Sequence, residues 1–279
     1  MGGIAPTVIV PVHDAFDVLG PCLEALLTTI PANTPVLLID DASTDPVVLP
    51  LLAQFTARGG SSWRLIQQQE NKGFVATVNL GMRSCTSDVV LLNSDTIPAG
   101  RWLEGLCDCA ASVERLATAT PWTNNGEIVS LPEFCQANPL PPNPQKLASV
   151  LRDCIDPEYP EIPTAVGFCM YITRNSIDTI GYFDEETFGH GYGEENDFSM
   201  RARAAGLRNV LCDNAWVGHV GNQSFGPKGL QPDNQSMQRL LEKHAGYREI
   251  IDHYIAADPL QERRSEIILQ LDIEGVALV

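Results

Sequence analysis

The chain has 279 residues, 44% of them hydrophobic, so it is long enough to bury the core of one large α/β domain. Its 18 Lys and Arg against 35 Asp and Glu give a formal net charge of −17, and this acidity argues against nucleic acid and anionic lipid as partners. The chain opens without a signal-peptide pattern and no stretch approaches the roughly 18 to 20 apolar residues of a membrane span, which predicts a cytoplasmic protein with at most peripheral membrane association.

The first hundred residues alternate between two hydrophobic patterns. Short β-branched runs predict strands at 7–12, 36–40, 63–66 and 89–93, and apolar spacings of three and four predict helices at 18–30, 47–57 and 74–84. Such alternation indicates βαβ units and a mostly parallel sheet.

Regularity is weaker in the second half of the chain. The patterns predict a helix at 102–115, a strand at 116–120, a proline-rich wall or lid over 121–165 with a helix at 145–155, a strand at 166–173, and helices at 175–180, 194–205 and 233–257. The segment GNQSFGPKG, beginning at Gly221, is predicted to be a loop, and the last twenty residues fit neither pattern.

Acidic side chains stand where predicted strands end. Asp40 and Asp41 follow the second strand, and a carboxylate there can accept a hydrogen bond from the imide of a pyrimidine base. The alternative is an Asx turn that closes the segment DASTD. Because ligands of open α/β sheets bind beyond the carboxyl ends of the strands, these groups point to a shared pocket.

A second polar cluster follows the fourth strand. Asn93, Ser94 and Asp95 offer hard oxygen atoms of the kind that Mg²⁺ and Mn²⁺ prefer, although one aspartate is a thin ligand set. His219 is the candidate for a second ligand, and the alternative is an ordinary structural histidine.

Three acids open the helix predicted at residue 194. Glu194, Glu195 and Asp197 could simply stabilise the helix N-terminus, with Asp197 and Arg201 as an intrahelical pair. Three acids directly after a glycine loop exceed what capping requires, and Glu195 could serve as a general base.

Several common site types are excluded. The glycines at 189, 191 and 193 lack the GxGxxG spacing, and neither a P-loop nor a GxSxG elbow occurs. The eight cysteines contain no CxxC pair, so reduced, buried thiols are expected rather than a disulfide or zinc set.

Taken in order, these segments resemble a known family. VIVPVHD, LLIDDASTD, ENKGFVATVNLGM, LLNSDT, GYGEENDFSMR and VGHVGNQSFG, spread over residues 6–225, are similar to the motifs of inverting family 2 glycosyltransferases of the GT-A fold, in particular the rhamnosyltransferase-like group of bacterial surface-polysaccharide enzymes. The resemblance implies a Rossmann-like sheet flanked by helices with a small acceptor-side subregion. It also implies a catalytic domain over 1–257, with a nucleotide-binding half at about 6–120, an acceptor-side half at about 121–225 and a C-terminal helix, followed by a tail at 258–279.

The resemblance also implies residue roles. The catalytic residues would be Glu195 as base, with Glu194 beside it, and the metal ligands for Mn²⁺ or Mg²⁺ would be Asp95 and His219. Donor binding would fall to Pro11, His13, Asp14, Asp40, Asp41, Asn71, Lys72, Gly73, Asn93 and Ser94. The acceptor side would hold Trp122, Gly167, Phe168 and Asp197.

The implied reaction moves a sugar from a UDP or dTDP sugar to a hydroxyl of a saccharide or lipid-linked saccharide with inversion. Two departures from the family pattern stand in the chain: Asn93 replaces the first acid of the D-x-D motif, and Glu195 replaces the usual aspartate. They leave open a non-catalytic sugar-nucleotide-binding module. A sugar nucleotidyltransferase is the third hypothesis. Such an enzyme would be expected to carry a basic, glycine-rich loop after the first strand, whereas the segment PVHDAFD at that position is acidic.

Overall fold

The computed structural model describes residues 5–14, 16–189, 191–221 and 234–278, and the strands within them form one eight-stranded sheet. The strands are β1 (Thr7–Val12), β2 (Val36–Asp40), β3 (Trp63–Gln67), β4 (Val89–Leu92), β5 (Thr96–Pro98), β6 (Leu116–Trp122), β7 (Cys169–Ile172) and β8 (Arg208–His219). The α-helices are α1 (Phe16–Thr29), α2 (Val48–Gly59), α3 (Phe74–Arg83), α4 (Trp102–Ser112), α5 (Pro144–Cys154), α6 (Arg174–Ile180), α7 (Glu185–Phe188), α8 (Glu194–Ala204), α9 (Asn234–Lys243), α10 (Tyr247–Ala257) and α11 (Gln261–Ile273).

The strand order is β3-β2-β1-β4-β7-β6-β8-β5. Strands β3, β2, β1 and β4 are parallel to one another, as are β6 and β8, whereas β7 and β5 run antiparallel to their neighbours. The predicted fold class, a mostly parallel sheet flanked by helices, is therefore confirmed.

Both faces of the parallel half are covered by helices. Val36 and Leu38 of β2 join a core cluster with α1 and α2, while Leu37 and Ile39 join a second cluster with α3 on the opposite face. Successive side chains of a strand point to opposite faces, so a strand that is apolar at every position must be buried on both. The close approach of α3 to β1 depends on Gly81, where a Cβ would lie 2.7 Å from Cγ2 of Ile9.

The short strand β5 was not predicted from the sequence. Only three residues long, it directly follows Asp95 and pairs with the end of β8, with Thr96 opposite His219. This pairing, which no local pattern encodes, brings the region after β4 beside the end of the last strand.

The proline-rich segment 121–165 folds as part of the core. Its helix α5 begins at the expected place, with Asn143 as N-cap and a proline in the first turn. Leu131, Leu147 and Leu151 are fully buried in the larger core cluster. The segment is therefore a packed wall of the domain.

The C-terminal region differs from the prediction. The single helix expected over 233–257 is two helices, α9 and α10, and the last twenty residues contain a further helix, α11. Ile267 and Leu271 of α11 pack into the main core. The first turn of α11 carries two buried arginines, Arg263 and Arg264, which form ion pairs with Asp213 and Asp258 respectively. The two buried arginines interrupt the apolar pattern of α11, so the sequence did not predict this helix. No helix in the described part of the chain is both long enough and apolar enough to cross a bilayer.

Candidate functional site

The predicted donor-side residues meet at the carboxyl edge of β1 and β2, where Asp41 organises the neighbouring loops. Its carboxylate accepts hydrogen bonds from the backbone N–H of Lys72 at 2.7 Å, the backbone N–H of Gly73 at 2.9 Å and the side-chain amide of Gln68 at 2.8 Å. A carboxylate has about four acceptor positions, so one remains on the oxygen that Gly73 contacts. Gln68 directly follows β3, belongs to no motif and was not predicted from the sequence.

Asp40 and Asp14 shape the loop after β2. Asp40 accepts the backbone N–H of Ser43 at 3.0 Å, a local bond in the loop after β2 that reaches three residues on, one further than in an Asx turn. Asp14 accepts the backbone N–H groups of Thr44 at 2.7 Å and Asp45 at 2.9 Å. Burial opposes ionisation of Asp14, but these donors outweigh it and lower the pKa of that carboxyl. Both aspartates thus fix the loop by hydrogen bonds of their own.

His13 and Asn71, two more of the predicted donor-side residues, lie beside Asp41. His13 Nδ1 lies 3.0 Å from the carbonyl oxygen of Asp41, and the side-chain amide of Asn71 lies 3.0 Å from the His13 ring. Lys72 is exposed and forms an ion pair with Glu70. Pro11 lies within β1, partly buried and opposite Ile39 of β2.

A second group forms where β5 meets β8. Nε2 of His219 lies 3.5 Å from Oδ1 of Asp95, and its Nδ1 lies 2.6 Å from the carbonyl oxygen of Asn125. That carbonyl can only accept, so we assign the proton to Nδ1 in the neutral ring, which leaves the lone pair of Nε2 on the Asp95 side. Burial disfavours the imidazolium, but the negative charge of Asp95, 3.5 Å from Nε2, and the carbonyl of Asn125 outweigh it and raise the pKa of His219.

Two side-chain oxygen atoms in the segment after β4 have no hydrogen-bond donor. Oδ1 of Asp95 and Oδ1 of Asn93 are both buried and unpartnered, and Ser94 between these residues is buried. Unsatisfied buried oxygens of this kind suit a divalent cation. Within the described ranges no group of three or more acidic, histidine or cysteine side chains is placed to hold a metal. Asp95 and His219 would therefore supply two ligands, leaving the rest to water and phosphate oxygens.

The surroundings of His219 were only partly anticipated. Asn124, which the sequence analysis missed, accepts the backbone N–H of His219 at 2.8 Å and donates to its carbonyl oxygen at 3.0 Å. The ring of Phe168 stacks on the imidazole, with centroids 5.4 Å apart, and the Phe168 carbonyl accepts the N–H of Asn93 at 2.9 Å. In the sequence, the polar tripeptide TNN before Gly126 is the signal that points to Asn124 and Asn125.

Glu194 and Glu195 lie together in the first turn of α8. Gly193 precedes them with φ 105°, and a Cβ there would lie 2.9 Å from the Phe188 ring, so glycine is required. Glu194 is buried, whereas Glu195 is partly exposed. Desolvation by burial raises the pKa of Glu195 to about 7, aided by the negative charge of Glu127, although backbone N–H donors and Glu194 act in the opposite direction.

Gly167 and Phe168 connect the two groups. A Cβ on Gly167 would lie 3.8 Å from Cγ of Glu195, while the next residue carries the ring that stacks on His219. Burial and the negative charges of Glu194, Glu195 and Asp95 raise the pKa of the Tyr192 phenol. The Gly167–Phe168 segment therefore lies between the histidine pair and Glu195.

Two residues predicted on the acceptor side are buried in the structure. Trp122 has 0% of its surface exposed and lies in the main core cluster, so no sugar can stack on it. Asp197 is also fully buried, and its carboxylate contacts Arg201 at 2.8 Å, Lys243 at 2.7 Å and His244 at 2.7 Å. Asp197 connects the first turn of α8 to the C-terminal end of α9. Its intrahelical pair with Arg201 is one part of that network.

We expect Asp197→Asn to lower the free energy of unfolding by about 2 kcal/mol at pH 7, because hydrogen bonds to charged partners are weakened. Burial opposes the charge of Asp197, but Lys243, His244 and Arg201 outweigh it and lower its pKa. The stabilisation is thus present at neutral pH and is lost as the pH falls below the ordinary aspartate value of 3.8. Urea unfolding at pH 7 and pH 3 measures it. The exposed Asp178→Asn is the control, and equal stability of both variants at pH 7 would contradict the expectation.

The sheet, with its acidic edge and its histidine at the end of β8, defines a protein of the GT-A glycosyltransferase fold class. The structure superposes on GalNAc-T7 solved with UDP, GalNAc and Mn²⁺, with a TM-score of 0.68, 16% identity, and coverage of 98% of this chain and 55% of that one. It also superposes on the mannosyltransferase PcManGT of Pyrobaculum calidifontis solved with GDP-Man and Mn²⁺, with a TM-score of 0.62, 15% identity, and coverage of 96% and 75%. Residues 1–349 of S. aureus TarS give a TM-score of 0.54, 18% identity, and coverage of 86% and 70%.

The family model described as glycosyl transferase family 2 matches residues 7–181, more than half of the chain, and the chain belongs to this family. Among curated proteins, the uncharacterized protein Mb1552 of Mycobacterium bovis is 30% identical over 67 residues, which cover 24% of this chain and 26% of that protein. The matched region thus spans about a quarter of the curated relative, and the chain spans about half of the GalNAc-T7 chain.

Proposed function

We propose that this protein transfers a sugar from a nucleoside diphosphate sugar to an acceptor hydroxyl, with inversion and with the help of a divalent metal ion. The observation that carries the proposal is the Gly167–Phe168 segment, in which Gly167 lies next to Glu195 and the ring of Phe168 stacks on His219. A proton acceptor and a candidate metal site on either side of one short segment suit a single displacement.

Asp95 and His219 would hold the metal, and Mn²⁺ or Mg²⁺ suits the unpartnered Oδ1 of Asp95. When bound, the cation would neutralise negative charge on the departing diphosphate. The Mn²⁺ in the GalNAc-T7 and PcManGT structures supports this choice. Asn124, Asn125 and Phe168 would keep the imidazole oriented, since outer partners of a ligating histidine fix its tautomer and ring plane.

The donor would bind at the edge formed by His13, Asp41 and the N-terminus of α3, within a nucleotide-binding half at about 6–120. The remaining acceptor position of Asp41 could take the imide N–H of uracil or thymine, which favours a UDP or dTDP sugar. A net charge of −17 makes a cation the natural source of local positive charge for the diphosphate.

Glu195 would remove the proton from the acceptor hydroxyl. A pKa near 7 allows the group to be ionised at working pH while it remains a useful base. The acceptor, a saccharide or lipid-linked saccharide in polysaccharide or glycoconjugate synthesis, would approach past Gly167, within an acceptor-side half at about 121–225.

A donor screen tests the proposal. The protein would be incubated with UDP, dTDP and GDP sugars and Mn²⁺, and release of nucleoside diphosphate would be measured with and without chelator. We expect one UDP or dTDP sugar to be hydrolysed slowly and only with metal. Absence of both turnover and binding across the panel would overturn the proposal. Binding without turnover, even after acceptor trials, would favour the non-catalytic module.

Gly167→Ala tests the acceptor path. The added methyl group would be in ordinary contact with Glu195 and would occupy space in front of it. We expect the KM for the acceptor to rise about 10-fold, since misplacement of a substrate near the reacting groups is costly, while the KM for the donor stays unchanged. Steady-state kinetics with each substrate varied would measure both, and Gly246→Ala, where a Cβ meets no atom within 4 Å, is the control. An unchanged acceptor KM would exclude this path.

A further inference from the structure

We propose that Gln68 is a positioning residue for recognition of the donor base. It holds the Asp41 carboxylate in one orientation, and that orientation lets Asp41 select uracil or thymine over cytosine. The inference rests on the proposed function, because it needs the nucleotide to bind at the edge of the sheet that carries Asp41.

Backbone hydrogen bonds at the strand ends fix where the two side chains begin. The N–H of Gln68 donates to the carbonyl oxygen of Asp40 at 2.9 Å, which extends the pairing of β2 with β3 by one residue. The N–H of Asp41 donates to the carbonyl oxygen of Val12 at 2.8 Å, which does the same for β1 and β2. Gln68 and Asp41 therefore leave neighbouring strands at the same edge of the sheet.

The amide of Gln68 is oriented by two hydrogen bonds. Its Nε2 lies 2.8 Å from Oδ1 of Asp41 and 2.7 Å from Oγ1 of Thr77, in the first turn of α3. A carboxylate only accepts, so the nitrogen of the amide must face Asp41. Thr77 is fully buried and Asp41 is 3% exposed, so water has little access to either bond. Both N–H groups of Gln68 are engaged, and the amide cannot turn without losing both bonds.

Gln68 closes one side of the Asp41 carboxylate. Oδ1 accepts from Gln68 and from the backbone N–H of Lys72 at 2.7 Å, whereas Oδ2 accepts from the N–H of Gly73 at 2.9 Å. With about four acceptor positions on a carboxylate, the position that remains is on Oδ2. Loss of Gln68 would open a second position on Oδ1 and free the carboxylate to rotate.

The pyrimidine bases differ in the hydrogen at one ring nitrogen. N3 of uracil and thymine carries a hydrogen and donates, whereas N3 of cytosine is an acceptor that the lone pairs of a carboxylate repel. One acceptor in a fixed direction therefore favours the imide bases, through a bond that is gained and a repulsion that is avoided. A carboxylate that can rotate away from cytosine loses the repulsive part of this preference.

The experiment compares two nucleotides. The Kd of UDP and of CDP would be measured by calorimetry with Mn²⁺ for the wild type, Q68L, T77V and Q69L. We expect the wild type to bind UDP about 30-fold more tightly than CDP, since a site built around a hydrogen bond rejects a base that cannot make it. We expect Q68L to reduce this ratio to about threefold, and T77V, which frees the far side of the Gln68 amide, to reduce it to about tenfold.

Q69L is the matched control. It makes the same chemical change at the exposed neighbouring position, and it should keep the wild-type ratio. The ratio separates positioning from damage to the fold, because a loosened site weakens UDP and CDP alike.

The role of Gln68 is overturned if Q68L keeps the wild-type ratio or weakens both nucleotides equally. Should Q68L fail to fold by circular dichroism, Q68N, in which the amide is one methylene shorter, takes its place with the same expected ratio. A wild type that binds UDP and CDP equally, or binds neither, would overturn both this role and the assignment of the donor base to Asp41. A UDP preference that Q68L removes, in a protein without transferase activity, would support this role and remove only the proposed catalysis.

Discussion

Glu195→Gln is expected to lower the rate of sugar transfer by about 10³-fold, or about 4 kcal/mol in activation free energy, because a positioned general base contributes in this range. Glutamine has nearly the same shape and cannot take the acceptor proton at neutral pH. The change removes negative charge from a site away from Asp41 and the donor edge, so nucleotide affinity should stay within about twofold. Transfer kinetics and calorimetric titration with nucleoside diphosphate and Mn²⁺ would measure the two effects.

The matched control is Glu262→Gln, an exposed glutamate in the first turn of α11. It makes the same chemical change at a helix start on another part of the domain, and its rate should equal that of the wild type. Turnover by the Glu195 variant at the wild-type rate would remove this residue from the reaction. A fall in nucleotide affinity as large as the fall in rate would point to a damaged fold.

The same base predicts the pH dependence of the wild type. Since burial raises the pKa of Glu195 to about 7, the reactive carboxylate is the minor form below that pH. The rate of transfer should rise about tenfold per unit below the midpoint and level off above it. A flat profile between pH 5.5 and 8.5 would be inconsistent with Glu195 as the base.

The second large effect is expected for Asp95→Asn, which should weaken Mn²⁺-dependent binding of the nucleoside diphosphate by about 100-fold, or about 2.7 kcal/mol. Amide and carboxylate have the same shape, so the change removes the negative charge that would hold the cation and leaves packing intact. Because only His219 would then remain as a strong protein ligand, the metal could no longer bridge protein and phosphates effectively. Calorimetry with and without chelator measures the loss.

Asp178→Asn, at an exposed position on α6, is the control for this variant. Its affinity should match that of the wild type in Mn²⁺ and should fall equally when chelator is added. Equal affinity of the wild type with and without chelator would show that no metal takes part in donor binding. The Asp95 variant would then be expected to bind as the wild type does.

The sequence alone determined the class of the fold and much of the site. Short runs that are apolar at every position and are bounded by turn residues indicate strands buried on both faces, and their alternation with helices predicted the parallel half of the sheet. The position of Asp41 and Asp95 just beyond apolar runs placed both at the same edge, because parallel strands share their carboxyl end. These conclusions follow from local periodicity, which sequence expresses directly.

Only the tertiary structure decided which polar groups meet. The pairing of β5 with β8 joins residues more than a hundred positions apart, and it alone sets Asp95 beside His219. Burial likewise places the predicted acceptor-side residues Trp122 and Asp197 inside the protein, and it leaves Glu194 buried while its neighbour Glu195 is partly exposed. Desolvation and strand pairing depend on residues that are distant in the sequence and close in the folded protein. The pattern of neighbouring residues therefore does not predict them.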